Sequence, residues 1–182
     1  KPFGPKWGTD YWRKWAVIVR ALSASGVGAG ADVLDMGCGP GWTTVFLAQS
    51  GYRPVGLDVA PASLEVGRRR ARQWGVEAQF VTADMESFEL GRQFDAILVF
   101  DALHHTDHRL EVLTHLARHL KLGGVAIFGE PSWLHYISPG AIRTRRQYGW
   151  IENGVFVSGL KRDCRAVGLG DFRRFFEGSQ PY

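Results

Sequence analysis

The chain has 182 residues, a hydrophobic fraction of 45%, a charged fraction of 22% and a net charge of +4. That length suits one domain with a single sizeable core, and 13% aromatic content is too rich for a disordered chain. Two cysteines, Cys38 and Cys164, exclude a disulfide scaffold, and apolar runs of about six residues fall short of the roughly 20 that a membrane-spanning helix needs.

The first residues, Lys1–Trp7, hold no apolar run and no initiator Met. The expectation is a cytoplasmic protein without a secretory leader, excised from a longer one. Residues 9–25 read as an amphipathic helix capped by Thr9, with Trp12, Trp15, Ala16, Val19 and Leu22 at three- and four-residue steps. Val33–Met36 is a short apolar strand ending in glycines. Trp42–Ser50 is helical and Gly51 stops it. Pro54–Val59 is a second strand, and Pro61 opens a helix to about Trp74. Glu77–Thr82 and Ala96–Phe100 are the third and fourth strands, the latter a continuous apolar run of the kind buried on both faces. Asp107 caps a helix running to Leu122, stopped by Gly123-Gly124, and Val125–Gly129 is a fifth strand. Gly140–Gly154 reads as a polar and aromatic insertion, Gly159–Val167 as a helix and Phe172–Glu177 as a last short strand.

Strands alternating with helices predict an α/β fold: a Rossmann-like three-layer sandwich, its mostly parallel twisted sheet covered by helices on both faces. Such sheets bind ligands beyond the C-terminal ends of their strands, where the strand order reverses. The segments to watch are therefore Gly37–Gly41, Asp58, Asp84, Asp101–His105 and Glu130–His135.

The densest motif is Val-Leu-Asp-Met-Gly-Cys-Gly-Pro-Gly, residues 33–41. Glycines at alternate positions let the backbone turn sharply and let a ligand approach it, and the next helix offers N–H donors at its start. A nicotinamide or flavin fold needs G-x-G-x-x-G, and the last position of that fingerprint is Trp42 here. Asp35, just before the loop, suits a cationic amino group better than a pyrophosphate. Asp58, 23 residues on, can accept both hydroxyls of a ribose. Asp84 can accept from an adenine amine, with Met85 packed on the base.

Read together, these blocks resemble the class I S-adenosylmethionine-dependent methyltransferases, closest to the small-molecule type of ubiquinone biosynthesis and polysaccharide gene clusters. The resemblance rests on Val33–Gly41, Val55–Asp58, Ala83–Met85, Phe94–His105 and Leu120–Pro131, in order. It implies S-adenosyl-L-methionine as cofactor. Asp35 with Gly37, Cys38, Gly39 and Gly41 would hold its amino-acid part, Asp58 with Val59 the ribose, Asp84 and Met85 the adenine. Phe100 and Asp101 would lie beside the methionine moiety. The expected organisation is an N-terminal helical cap (1–30), a cofactor-binding core (31–131), and an acceptor-side insertion with a C-terminal edge (132–182). The family sheet closes with an antiparallel pair of edge strands, for which only Phe172–Glu177 is an obvious candidate; either Val155–Ser158 substitutes or the last strand is missing, and the expectation is truncation from a longer protein.

Three residues are candidates for the base that a hydroxyl acceptor needs: His105 first, then Glu130 and His135. Trp133, Tyr136, Tyr148 and Trp150 can line an acceptor pocket for a sugar or a planar ring. Arg143, Arg145 and Arg146 can hold an acceptor phosphate, since the whole basic excess lies in residues 143–182. Trp7, Tyr11, Trp12 and Trp15 form either an aromatic lid or plain core. His108, His115 and His119 share a helix face at spacings of 7 and 4, read as solvated, and no metal is expected. The basic excess is small for a nucleic-acid partner. The expected function is methyl transfer to a small-molecule or carbohydrate-linked acceptor. The alternative is a cofactor-binding module with an assembly role.

Overall fold

The computed structural model describes residues 8–149 and 151–176. Apolar residues of β1 (Asp32–Met36) and β4 (Phe94–Phe100) alternate between two cores, as a strand's period of two requires. Val33, Ala96 and Leu98 face one core with Trp15, Leu22, Trp42 and Phe46; Leu34, Met36, Ile97 and Val99 face the other with Leu57, Leu103 and Leu116. Such two-sided burial needs a helical layer on each face. α1 (Gly8–Ala24) and α2 (Trp42–Gln49) supply residues to the first core, α4 (Arg109–His119) to the second.

β2 (Arg53–Asp58), β3 (Gln79–Thr82) and β5 (Leu120–Gly129) complete a five-stranded sheet of order β3-β2-β1-β4-β5, with every pair parallel. The chain winds outward from β1 through β2 and β3, with α3 (Pro61–Gln73) between them, and returns to place β4 on the other side of β1. The reversal lies between β1 and β4, so the crevice expected of this topology opens above Met36 and Phe100.

Several expectations need correction. The fourth helix ends at His119, not Leu122, because His119 is buried and turns inward: its Nε2 accepts from the Leu90 N–H (3.1 Å) and its Nδ1 donates to His115 O (2.8 Å). The face carrying His115 and His119 is therefore not solvated. Leu120 already pairs with Phe94, and Gly123-Gly124 lie in an irregularity inside β5 rather than at a helix stop. Asp107 does not cap that helix; its Oδ1 accepts from Asn153 Nδ2 at 2.9 Å. The supposed insertion at 140–154 contains α5 (Pro139–Tyr148), started by the Ser138 hydroxyl accepting from Ala141 N–H and by Pro139. α6 (Val157–Ala166) follows. Residues 172–176 form no strand; Arg173 and Arg20 tie them back to α1, through Ala24 O (3.0 Å) and Phe176 O (2.6 Å). Among the described residues, the only bridge beyond the five strands joins Ser132 to Val155, and it is parallel. Trp7, Trp150 and the side chain of Thr9 lie outside what is described. No helix among the described residues is long and apolar enough to cross a membrane.

Candidate functional site at the carboxyl ends of the strands

The glycine loop leaves β1 and closes tightly on its neighbours. Gly37 and Cys38 N–H both donate to Leu57 O (2.8 and 3.0 Å), and Gly39 N–H donates to Asp58 Oδ2 (2.7 Å). A Cβ at Gly37 would sit 2.5 Å from Ala102 Cβ, so the loop abuts the segment after β4. A Cβ at Gly39 would meet nothing within 4 Å, though its φ of 52° is left-handed. That open backbone is where a ligand can come close.

Asp35 is not at the surface of this crevice. It is 1% exposed, and its Oδ2 accepts from the hydroxyls of Thr43 and Thr44, each at 2.5 Å. Burial pushes its pKa up to about 6, the Thr43 and Thr44 hydrogen bonds hold it back, and the charge of Asp58 adds to the rise. It braces the start of α2 from beneath the loop. Cys38 is also buried, and burial raises its thiol pKa, leaving it neutral. Asp58 is bonded on both oxygens, to Gly39 N–H and to Ala60 N–H (2.9 Å). Each oxygen keeps a second lone pair for a hydroxyl. Val59 is exposed beside it. Asp84 is exposed and its Oδ1 accepts from Glu86 N–H, while Met85 packs on the core below.

Trp42, at the position where a dinucleotide fold needs glycine, is buried among Tyr11, Trp15, Phe46 and Phe100, with ring centroids 5.0–6.4 Å apart. Tyr11 and Trp15 of α1 are thus core residues. Asp101 stands exposed at the end of β4 with φ 55°, a left-handed conformation rare for a residue with a side chain. Its charge, after burial, contributes to raising the pKa of Tyr11.

Beyond β4 and β5 lies a second cluster. Glu130 is buried and occupied on both oxygens. Oε1 accepts from Ala102 and Leu103 N–H (3.0 and 2.9 Å); Oε2 accepts from His104 N–H (3.3 Å) and lies 2.8 Å from His104 Nδ1. With these bonds it holds the 3-10 turn Leu103–His105 in place. His104 is buried at 3%. Burial disfavours its charged form, but the Glu130 hydrogen bond and the charges of Glu130, Asp101 and Glu152 outweigh this and raise its pKa. His105 is exposed, with Nδ1 2.8 Å from Ile151 O. His135, in a second 3-10 turn (Trp133–Ile137), has Nε2 2.7 Å from Glu152 Oε2.

Glu152 is the residue that sequence reasoning missed. It is buried, and it sits between His104, His105 and His135. It is the only acid between Glu130 and Asp163, in a stretch of arginines and aromatics, and that isolation was the available signal. A cavity of about 690 Å³ opens beside the cluster, lined by Leu103, His104, Trp133, Tyr136, Asn153 and Phe156. Trp133 stacks on Phe156 at 5.8 Å. Tyr148 does not line this cavity, and Arg145 holds Tyr136 O and Glu152 O rather than facing a phosphate. A larger cleft of about 810 Å³ lies at the opposite ends of the strands, around Asp32, Arg53 and Arg92, away from these groups.

With this geometry in view, the family whose description is "Methyltransferase domain" matches residues 33–124, half of the chain. The chain belongs to that family, the class I S-adenosylmethionine-dependent methyltransferases. The methyltransferase domain is 36% identical over 109 residues to the ubiquinone biosynthesis O-methyltransferase of Ruegeria sp. (strain TM1040), covering 59% of this chain and 44% of the relative. It is 24% identical over 151 residues to the same-named protein of Rickettsia felis, covering 83% and 57%. The chain thus spans about half the length of these curated relatives. Among solved structures it is similar to the YcgJ protein of Bacillus subtilis (20% identity, TM-score 0.72, 85% of this chain and 68% of that one). It is also similar to the [4+2]-cyclase SpnF (20% identity, TM-score 0.70, 85% and 56%). At such identities these two show the fold alone. The family's cofactor is S-adenosyl-L-methionine, and the residues present fit it: Gly39 presents bare backbone to open space beside Asp58.

Proposed function

We propose that this domain transfers a methyl group from S-adenosylmethionine to an oxygen of a small, ring-bearing acceptor. The observation that carries the reading is the pairing of two half-sites at the switch point: the open Gly39–Asp58 corner and, across Ala102, the cluster of His104, His105, His135 and Glu152. When bound, the cofactor supplies a methyl group already activated by a sulfonium. Asp58 accepts the ribose hydroxyls while bracing the loop, Asp84 and Met85 receive the adenine, and Phe100 with Trp42 excludes water from one wall. Asp101, exposed at the end of β4, accepts from the amino group. The stacked Trp133 and Phe156, with Tyr136, receive a planar ring, which brings its hydroxyl toward the histidines. Holding the two reactants in line contributes most of the acceleration, up to roughly 7–11 kcal/mol in well-oriented systems. The names of the curated relatives support an oxygen as the acceptor atom, and an acceptor carried on a carbohydrate remains within the proposal.

The test is transfer of label from methyl-labelled S-adenosylmethionine to a panel of phenols, catechols and sugars. Label recovered in a methyl ether supports the reading. Tight cofactor binding with no acceptor turned over would instead favour a binding module serving a larger protein.

A further inference from the structure

The described residues bring one group of metal-ligating side chains together. A ring nitrogen of His104, a ring nitrogen of His105 and a carboxylate oxygen of Glu152 lie within 4.8 Å of one another. His104 and Glu152 are buried, and His105 opens to solvent. We infer that these three side chains form a binding site for one divalent transition-metal ion of the zinc class. The site itself stands without the methyl-transfer reading; only its use, presenting an acceptor oxygen to the methyl group, rests on it.

The His104 imidazole is already oriented as a metal ligand. Nδ1 of His104 faces Glu130 Oε2 at 2.8 Å and Nδ1 of His105 faces Ile151 O at 2.8 Å. Carboxylate and carbonyl oxygens only accept, so in the neutral rings the hydrogen sits on Nδ1 and Nε2 carries the lone pair. A histidine whose far nitrogen is held by a carboxylate is the usual support for a metal ligand. His104 Nε2 lies 3.7 Å from Glu152 Oε2. Metal bonds of about 2.0–2.2 Å to nitrogen and oxygen span that gap with one ion. The His105 nitrogen nearest Glu152 is Nδ1, 4.0 Å from Oε1, so His105 joins the ion by turning its exposed ring away from Ile151 O.

Charge points the same way. Glu130 and Glu152 have side chains 4% and 8% exposed. Two buried carboxylates face these imidazoles, and buried negative charge is costly unless a cation, a proton on an imidazole or a bound metal ion, compensates it. His135, 2.7 Å from Glu152 Oε2, orients that carboxylate without removing its charge. Two nitrogens and one oxygen select zinc, cobalt or nickel over magnesium, which demands an oxygen shell. Three protein ligands leave a position open, as in sites that admit water or substrate.

The experiment uses the whole 182-residue chain, stripped with a chelator and dialysed against Zn²⁺, with metal content measured. Co²⁺ serves as a visible probe. One Zn²⁺ per chain is expected, and Co²⁺ should give the d–d bands of a four- or five-coordinate ion. His105→Ala and Glu152→Gln should each weaken Zn²⁺ binding by at least about tenfold, the lower bound seen when even a supporting partner is lost. His108→Ala, at an exposed histidine outside the cluster, should leave it within twofold. His105 is exposed, so its variant stays informative even where Glu152→Gln fails to fold. No stoichiometric Zn²⁺, or binding that survives both substitutions, overturns the site. Titration of the metal-free chain with S-adenosylmethionine separates the two proposals. Zn²⁺ bound without cofactor affinity sinks methyl transfer and keeps the metal site; cofactor affinity without Zn²⁺ does the reverse.

Discussion

At the scale of single residues, Asp35 sets stability against function. Its folded pKa of about 6 lies above the unfolded value near 3.9. An acid raised in this way contributes stability that is present below the unfolded pKa and lost as pH rises through the folded one. Asp35→Asn should therefore leave stability nearly unchanged at pH 4 and raise it by roughly 1–3 kcal/mol at pH 7.5. Thermal melts of both proteins at the two pH values check this; a gain equal at both would remove the buried charge as its cause. Asp58→Ala should weaken S-adenosylmethionine binding by about 1.5–3 kcal/mol, the range for hydrogen bonds to a charged group. Unchanged affinity in a folded variant would take Asp58 out of the site. Gly39→Val adds its side chain to open space at a left-handed φ. The strain should cost roughly 1–3 kcal/mol and lower the melting midpoint, while calorimetry on the folded variant should find cofactor binding abolished. The loop and Asp58 were legible in the sequence because contiguous residues define them. Thr43, Thr44 and Glu152 were not, because their roles come from contacts that only the folded chain makes.

At the scale of elements, Glu130 separates two readings of one carboxylate. As a base it would govern turnover and leave stability alone. As the acceptor for three backbone N–H groups and one imidazole it holds the turn after β4. Glu130→Gln puts an amide donor against the donors of His104 and should cost about 2–4 kcal/mol in denaturant unfolding. An unchanged midpoint would restore the base. The end of α4 illustrates why element boundaries slipped. The run from Leu120 to Gly124 carries the apolar residues and glycines of a helix stop, yet Leu120 pairs with Phe94 and His119 finds its partners across the fold. The glycines signalled a stop at a place that is strand, and the tertiary partners end the helix at His119. The helix at Pro139–Tyr148 was hidden for a different reason: it buries only Ala141, so it shows no apolar stripe.

For the whole molecule, the strand–helix alternation was enough to predict a parallel sheet and the end at which chemistry belongs. It could not supply the strand order, because nothing in one strand names its neighbour. A cofactor that binds only the folded chain stabilises it by mass action, about 2.7 kcal/mol at a hundredfold excess over Kd. For a domain of this size that corresponds to a rise of roughly 5–11 °C in Tm. S-adenosylmethionine should produce it and NADH should not, since Trp42 fills the place a dinucleotide needs. A shift with NADH alone would reverse the assignment. The position of Glu130 carries one more consequence. The chain up to residue 101 carries the groups proposed for the cofactor, residues 131–156 supply about half of the cavity wall proposed for the acceptor, and Glu130 fastens the turn that lies between them. Exchanging residues 131–156 for those of a relative, with Glu130 kept, should retarget the acceptor while cofactor affinity stays put. A lineage could then diversify its chemistry on one half of the gene without renegotiating the other.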